Sequence, residues 1–255
     1  MTYPNGLDVA RGLAHGCRAV RQFGRNQAVG STFVPITRGG VYRTPQVGAE
    51  QALRVRAGGN AADTAGGIGA RSIVLVGLDA AGNVVSDTIV TAGASASSLS
   101  SVAFLRLTDA RVASSGTYAT QSALSHVGTI NIEDAAGNLW AVIQDTDIPR
   151  GDSECSAYSV PINRTLLISS VRIQAAAVNK SNVVMFKRTG ILQTSAPYDA
   201  MVLLGEFPNF SGIAQFFFDP PIRIDQLTDV GFLGKTETST TDIAVSFDGI
   251  EANPT

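Results

Sequence analysis

The chain has 255 residues and a mass of 26.5 kDa, enough for two ordinary domains or one large β-sandwich. Hydrophobic residues make up 44% and charged residues only 16%, with a net charge of −2. This excludes a mainly disordered chain and leaves a surface of small, uncharged residues, of the kind that packs against neighbours rather than repelling them.

The charges are unevenly placed. Residues 1 to 56 carry eight arginines against Asp8 and Glu50, a surplus of six positive charges, whereas from Asp199 onward nine acids face Arg223 and Lys235, a surplus of seven negative ones. A basic front and an acidic back either attract each other between copies or meet separate partners.

From Leu7 to Arg25, the residues Leu7, Ala10, Leu13, Ala14 and Cys17 share a helical spacing, but Gly6, Gly12, Gly16 and Gly24 oppose a stable helix. Residues 1–30 therefore read as an extended arm. The segments Thr32 to Ile36 and Val41 to Tyr42 are strand fragments, and Ala57 to Ala70 is a loop. Arg71 to Leu78 and Val84 to Thr91 form a hairpin across Asp79-Ala80-Ala81-Gly82-Asn83, where Gly82 supplies the positive φ of a tight connection. The same five residues recur at Asp134 to Asn138, between Gly128 to Glu133 and Leu139 to Gln144, and Val102 to Val112 is a further strand. A boundary is expected within Asp145 to Ser153, giving domains at 31–147 and 148–255. Beyond it, seven short strands between Ser156 and Phe247 recur about every ten residues, the spacing of a sandwich or jelly roll. The predicted class is all-β: two sandwich or jelly-roll-like domains after an arm.

Catalytic chemistry finds little support. The two histidines are His15 and His126. Gly151-Asp152-Ser153 matches an esterase motif, but no histidine follows it. Gly234-Lys235-Thr236 lacks the earlier glycine of a phosphate loop, and Gly67-Ile68-Gly69 lacks the third glycine of a dinucleotide fingerprint. Asp145 with Asp147 and Asp225 with Asp229 are arbitrary choices for a glycosidase pair, and Arg150-Gly151-Asp152 and the sequons at Asn163, Asn179 and Asn209 are chance-level matches. Cys17 and Cys155 form no metal or redox motif. No cofactor, no metal and no catalytic residue is expected, nor an export signal or membrane span. The arginine-rich start fits protein interfaces better than nucleic acid, lacking a recognition motif.

Residues Ser72 to Asp79 and Asn83 to Val90, preceded by Phe23-Gly24-Arg25-Asn26 and Gly30-Ser31-Thr32-Phe33, resemble structural proteins of tailed bacteriophage virions. The second half is similar to the same group through Ile148-Pro149-Arg150-Gly151, Tyr158-Ser159-Val160-Pro161 and Val245 to Ile250, with Pro161-Ile162-Asn163 where relatives tend to show Pro-Ala-Gly. The resemblance implies a non-enzymatic virion component made in the host bacterial cytoplasm. It points first to a capsid decoration (cement) protein bound to the major capsid protein and to copies of itself, as a homotrimer. The alternatives are a tail, neck, baseplate or fibre-base component, or a host-glycan binding or depolymerase module. In this picture Arg11, Arg18, Arg21 and Arg25 pair carboxylates on a neighbouring subunit. Phe216-Phe217-Phe218 alternates between the two faces of its strand, so the run either fills the core of a thick sandwich by meeting another layer or turns at least one ring towards a subunit interface.

Overall fold

A computed structural model describes residues 6–42, 50–57, 60–117, 125–145, 151–176, 180–237 and 239–253. The elements in the first half are α1 (Gly6–Ala10), β1 (Cys17–Val29), β2 (Val34–Pro35), β3 (Gln51–Arg56), β4 (Ala70–Leu78), β5 (Val84–Val90), β6 (Ala103–Phe104), β7 (Arg106–Ser115), β8 (Ile130–Asp134) and β9 (Leu139–Ile143). The second half adds β10 (Tyr158–Ser159), β11 (Thr165–Ala175), β12 (Ser181–Arg188), β13 (Val202–Phe210), β14 (Gly212–Ile224), β15 (Asp229–Thr236) and β16 (Thr241–Ala252). The fold is all-β, as the strand spacing predicts.

Two compact units emerge. The first comprises Met1–Ile36, Ser156–Ile191 and Pro197–Thr255, and the second comprises Thr37–Cys155 with Leu192–Ala196. The first unit is a sandwich of two antiparallel sheets, ordered β1-β16-β11-β14 and β10-β15-β12-β13, with β2 also paired to β15. This alternation of sequence-distant strands between two four-stranded layers is a jelly roll. Strict alternation along β16, where Ile243, Val245 and Phe247 point inward, closes the core with Ile168, Val171 and Ile173 of β11 and Met185 and Phe232 of the facing sheet.

The edge strand beside β15 is built from two pieces of chain. Val34 and Pro35 pair with Gly234 and Leu233, and Tyr158 and Ser159 pair with Val230 and Asp229. Ser156 N donates to Ile36 O at 3.3 Å, joining the pieces. The whole of Thr37–Cys155 is thus inserted within one strand position, and the jelly roll draws on residues from both ends of the sequence. The sequence places contiguous domains with boundaries at 31 and 148, whereas the units break after Ile36 and before Ser156 and the first unit takes in chain from both ends; residues 146–150 lie outside those described. The split was hidden because each half of the strand is too short to carry a period of its own.

The second unit packs a sheet ordered β6-β3-β8-β9 with one ordered β5-β4-β7 around Leu53, Ile73, Leu75, Phe104, Ile132 and Trp140. Its two repeated turns have one geometry. In each, the aspartate N–H donates to the asparagine carbonyl at 3.0 Å, and the aspartate Oδ1 accepts the asparagine N–H, at 2.8 Å in Asp79–Asn83 and 2.9 Å in Asp134–Asn138. Gly82 and Gly137 sit at φ 81° and 85°, where a side chain is strained. β3 escaped the sequence reading because its outward arginines hide the alternation: Arg54 and Arg56 both reach Glu133 of β8.

The arm requires the main correction. Residues 17–29 form an edge strand of the jelly roll, paired with β16 from Cys17↔Ala252 to Val29↔Thr241, and among the described residues before it the α-helix is confined to α1. Gly24, which reads as a helix breaker, is needed in the strand. A Cβ there would lie 2.2 Å from Ser156 N and 2.3 Å from Ile36 O, both backbone atoms. Residues 1–5 lie outside those described.

Candidate interaction surface

The sequence-predicted residues fall on the two ends of one sheet. Arg18, Arg21 and Arg25 lie on β1, and Phe216, Phe217 and Phe218 lie on β14. With β16 and β11 between them, the two edges are separated by three strand spacings, roughly 14 Å.

The arginines do not wait for a neighbour's carboxylates: they pair within the chain. Arg18 lies opposite Glu251 in the β1–β16 register, and its Nη2 donates to Oε2 at 3.0 Å. Arg21 lies opposite Asp248, with Nε to Oδ1 at 2.6 Å. Arg25 Nε donates to Asp242 Oδ2 at 2.9 Å. The basic front and acidic back of the sequence thus meet across one β-ladder, the strand counterpart of charge pairing on a helix. Arg11 precedes the strand and is exposed.

The three pairs differ in environment. Arg21 is 82% exposed and Asp248 42%, a surface pair of small worth. Glu251 is 1% exposed and serves as a hub. It accepts from Arg18 and from Tyr158 Oη at 2.6 Å, and Arg164 Nε lies 3.5 Å from Oε1. Burial and the Glu251 charge push the Tyr158 phenol well above its ordinary range, keeping it protonated as a donor. Burial opposes the charge on Arg18, but its bonds to Glu251 and Tyr158 outweigh this and raise its pKa.

The phenylalanine run divides as the strand period requires. Phe216 and Phe218 pack against the jelly-roll core, and Phe216 contacts Phe207 of β13 with ring centroids 4.7 Å apart. Phe217 points outward and is 76% exposed. Ile213, on the same face of β14, is 60% exposed, and Val202 and Leu203 of β13 are 51% and 56% exposed. β13 and β14 are edge strands of the two facing sheets, so Ile213 and Phe217 form an exposed apolar pair on the outer face of one sheet, and Val202 and Leu203 lie on the edge strand of the other. The sequence offers Phe216, Phe217 and Phe218 together without saying which ring turns outward, and it does not single out Ile213, Val202 or Leu203, because an exposed apolar residue on an edge has the same local pattern as a core one.

The remaining candidates for chemistry are spent on structure. Ser153 brackets Ala110: Ser153 N donates to Ala110 O at 2.9 Å, and Ala110 N donates to Ser153 Oγ at 3.2 Å. His126 is buried between Ser125 Oγ and the Gln144 carbonyl, each 2.9 Å away. Asp63, also buried, accepts the backbone N–H groups of Ala70, Val127 and Gly128. Asp145 accepts from Thr129, Asp225 from Arg223 and Asp229 from Ser159. The Gly234-Lys235-Thr236 triplet lies within β15, where Lys235 Nζ sits 4.9 Å over the Phe33 ring. Asn163 takes φ 59° and its N–H donates to Gln226 Oε1, so asparagine supplies a left-handed turn after Pro161. Asp147, Arg150 and Asn179 lie outside the described residues. Among the described residues, no group of three or more His, Cys, Asp or Glu is placed to hold a metal ion, and no helix is long and apolar enough to cross a membrane.

No protein-family model matches the chain, and no curated protein matches it. Among solved structures, the infectious bursal disease virus VP2 subviral particle aligns over 94% of this chain and 77% of its own, at 6% identity and a TM-score of 0.18. The T=1 particles derived from infectious bursal virus align over 94% and 79%, at 9% identity and a TM-score of 0.14.

Proposed function

We propose that the chain is a structural component of a virus particle, acting by binding rather than by turnover. In its specific form, it is a decoration protein that cements the head of a tailed bacteriophage, seated on the major capsid protein and on copies of itself. The observation that carries this reading is the exposed apolar pair on the outer face of β14, Phe217 and Ile213, 76% and 60% exposed. Together they present roughly 250 Å² of apolar surface on an edge strand. At about 25 cal/mol per Å², covering it yields on the order of 6 kcal/mol before ordering costs. Two further observations support a binding role. Ser153, His126, Asp145, Asp225 and Asp229, which the sequence offers for catalysis, bond to turns and strands of the fold. The residues that resemble phage virion proteins, Ser72 to Asp79, Asn83 to Val90 and Val245 to Ile250, fall largely on strands β4, β5 and β16.

The direct test mixes the purified protein with purified heads lacking it. It measures co-sedimentation, copies bound per head and survival of the heads on heating. Saturable binding in proportion to the capsid lattice, with heads that survive higher temperatures, is the expected result. Absence from heads with a single ring's worth of copies at the neck or tail would move the protein to that location. Turnover of a host glycan by the purified protein would overturn the binding role altogether.

A further inference from the structure

The second unit contains a cavity of about 20 Å³. That is room for one small ion or a water or two, and it excludes any larger ligand. Both charged groups in its lining are cations, Arg38 and Arg106, which are 4% and 2% exposed, and Tyr42 and Ser153 add hydroxyl groups. Among the described residues, no aspartate or glutamate lines it. Arg38 Nε donates to Glu154, and its Nη1 donates to Gln144 Oε1 at 2.7 Å. Glu154 holds Arg38 from outside the lining, so the two cations stand nearer the cavity than that carboxylate does. Arg106 Nη1 donates to the Leu105 carbonyl at 3.0 Å. Ser153 Oγ accepts from Ala110 N at 3.2 Å, which leaves its hydroxyl proton to donate.

From this lining we infer that the cavity is a binding site for one small monovalent anion of the chloride class. Guanidinium groups offer N–H donors and no acceptor, and their pull on an anion strengthens where water is excluded. Leu107, Trp140 and Ala141 supply an apolar wall. A metal cation meets two like charges here, and a water molecule carries no charge to answer them. Sugars, nucleotides and peptides are excluded by size. The lining also includes Thr37 and Cys155, the first and last residues of the inserted segment. The ion therefore sits where the chain enters and leaves the unit, and it stabilises the folded unit by mass action. The inference is independent of the assembly role proposed above.

The test uses the full chain, whose single tryptophan, Trp140, lines the cavity. Trp140 is 5% exposed and its indole N–H is turned to Asp134 Oδ2 at 3.4 Å, so a quencher free in solution rarely reaches the ring. Bromide quenches indole and is close to chloride in size. Titrated at constant ionic strength, it should quench Trp140 saturably, chloride should reverse the quenching, and chloride should raise the melting temperature above that in an equal ionic strength of gluconate. Tyr42→Phe and Ser153→Ala, each shown to be folded by circular dichroism, remove one hydroxyl donor apiece and should each weaken bromide binding about tenfold. Quenching that climbs without saturating, together with melts indifferent to chloride, overturns the inference and leaves the cavity to water. Saturable quenching that both variants leave unchanged puts the ion elsewhere and overturns it equally. Neither result bears on head binding, which the co-sedimentation assay reads separately.

Discussion

Glu251 offers the sharpest measure of what holds the jelly roll's edge strand in place. It is 1% exposed and accepts from Arg18 at 3.0 Å and Tyr158 at 2.6 Å, with Arg164 at 3.5 Å. Replacing it by alanine leaves the buried Tyr158 hydroxyl without that acceptor, at a cost of about 1–3 kcal/mol. It also breaks a partly buried ion cluster, for which full burial costs about 3–5 kcal/mol. Arg18 and Arg164 are 50% and 35% exposed and rehydrate once freed, so the second contribution falls well short of its full value. Glu251→Ala should therefore destabilise by about 3 kcal/mol, read as a lower urea midpoint at constant slope. Arg21→Ala, which removes a neighbouring pair on the solvent face of the same ladder, should cost no more than about 1 kcal/mol. Equal losses from the two variants would refute the argument that burial, and not charge pairing as such, sets the strength of this ladder.

Tyr158 gives a pH signature. Its pKa is raised above 10.0, so its contribution is intact below pH 10 and is lost as the pH climbs through the folded value. Tyr158→Phe should remove that share of the alkaline loss in thermal melts taken above pH 10. Asp79 titrates in the opposite sense. Burial works against its charge, but the Asn83 and Ala81 bonds win and hold its pKa below 3.8, so its turn loses support as the pH falls beneath that value. Asp79→Ala should flatten that acid limb. Gly24→Ala forces a Cβ onto the Ser156 and Ile36 backbone and should cost about 3 kcal/mol, whereas Gly66→Ala, with nothing within 4 Å, should shift the melt by little. Phe217→Ser should leave stability within about 0.5 kcal/mol while reducing head binding in the co-sedimentation assay.

The sequence and the structure agree where a local rule suffices. The Asp79 to Asn83 hairpin and β11, Thr165–Ala175, follow from branched residues and turn chemistry alone. Disagreement begins where long-range pairing decides. Residues 17–29 look like an arm because their arginines and glycines suit neither a helix nor an isolated strand. Pairing with β16, more than 200 residues away, makes them a strand. The same distance concealed the destination of the charge asymmetry, which is largely consumed inside the chain. Strand period separates Phe217 from Phe216 and Phe218 but leaves open which side meets the core, since the pairing of β14 with β11 is decided by residues about forty positions away.

The insertion of Thr37–Cys155 has an evolutionary and practical meaning. Its ends leave and re-enter at adjacent residues, with Thr37 bridged to Cys155 and Ile36 bonded to Ser156. The chain closure needed to splice Ile36 onto Ser156 by a short Gly-Ser turn is therefore small. The jelly roll is then a chassis and the inserted unit its passenger. A gene lineage can exchange passengers without redesigning the chassis, and a foreign module with neighbouring termini can be mounted at the same slot.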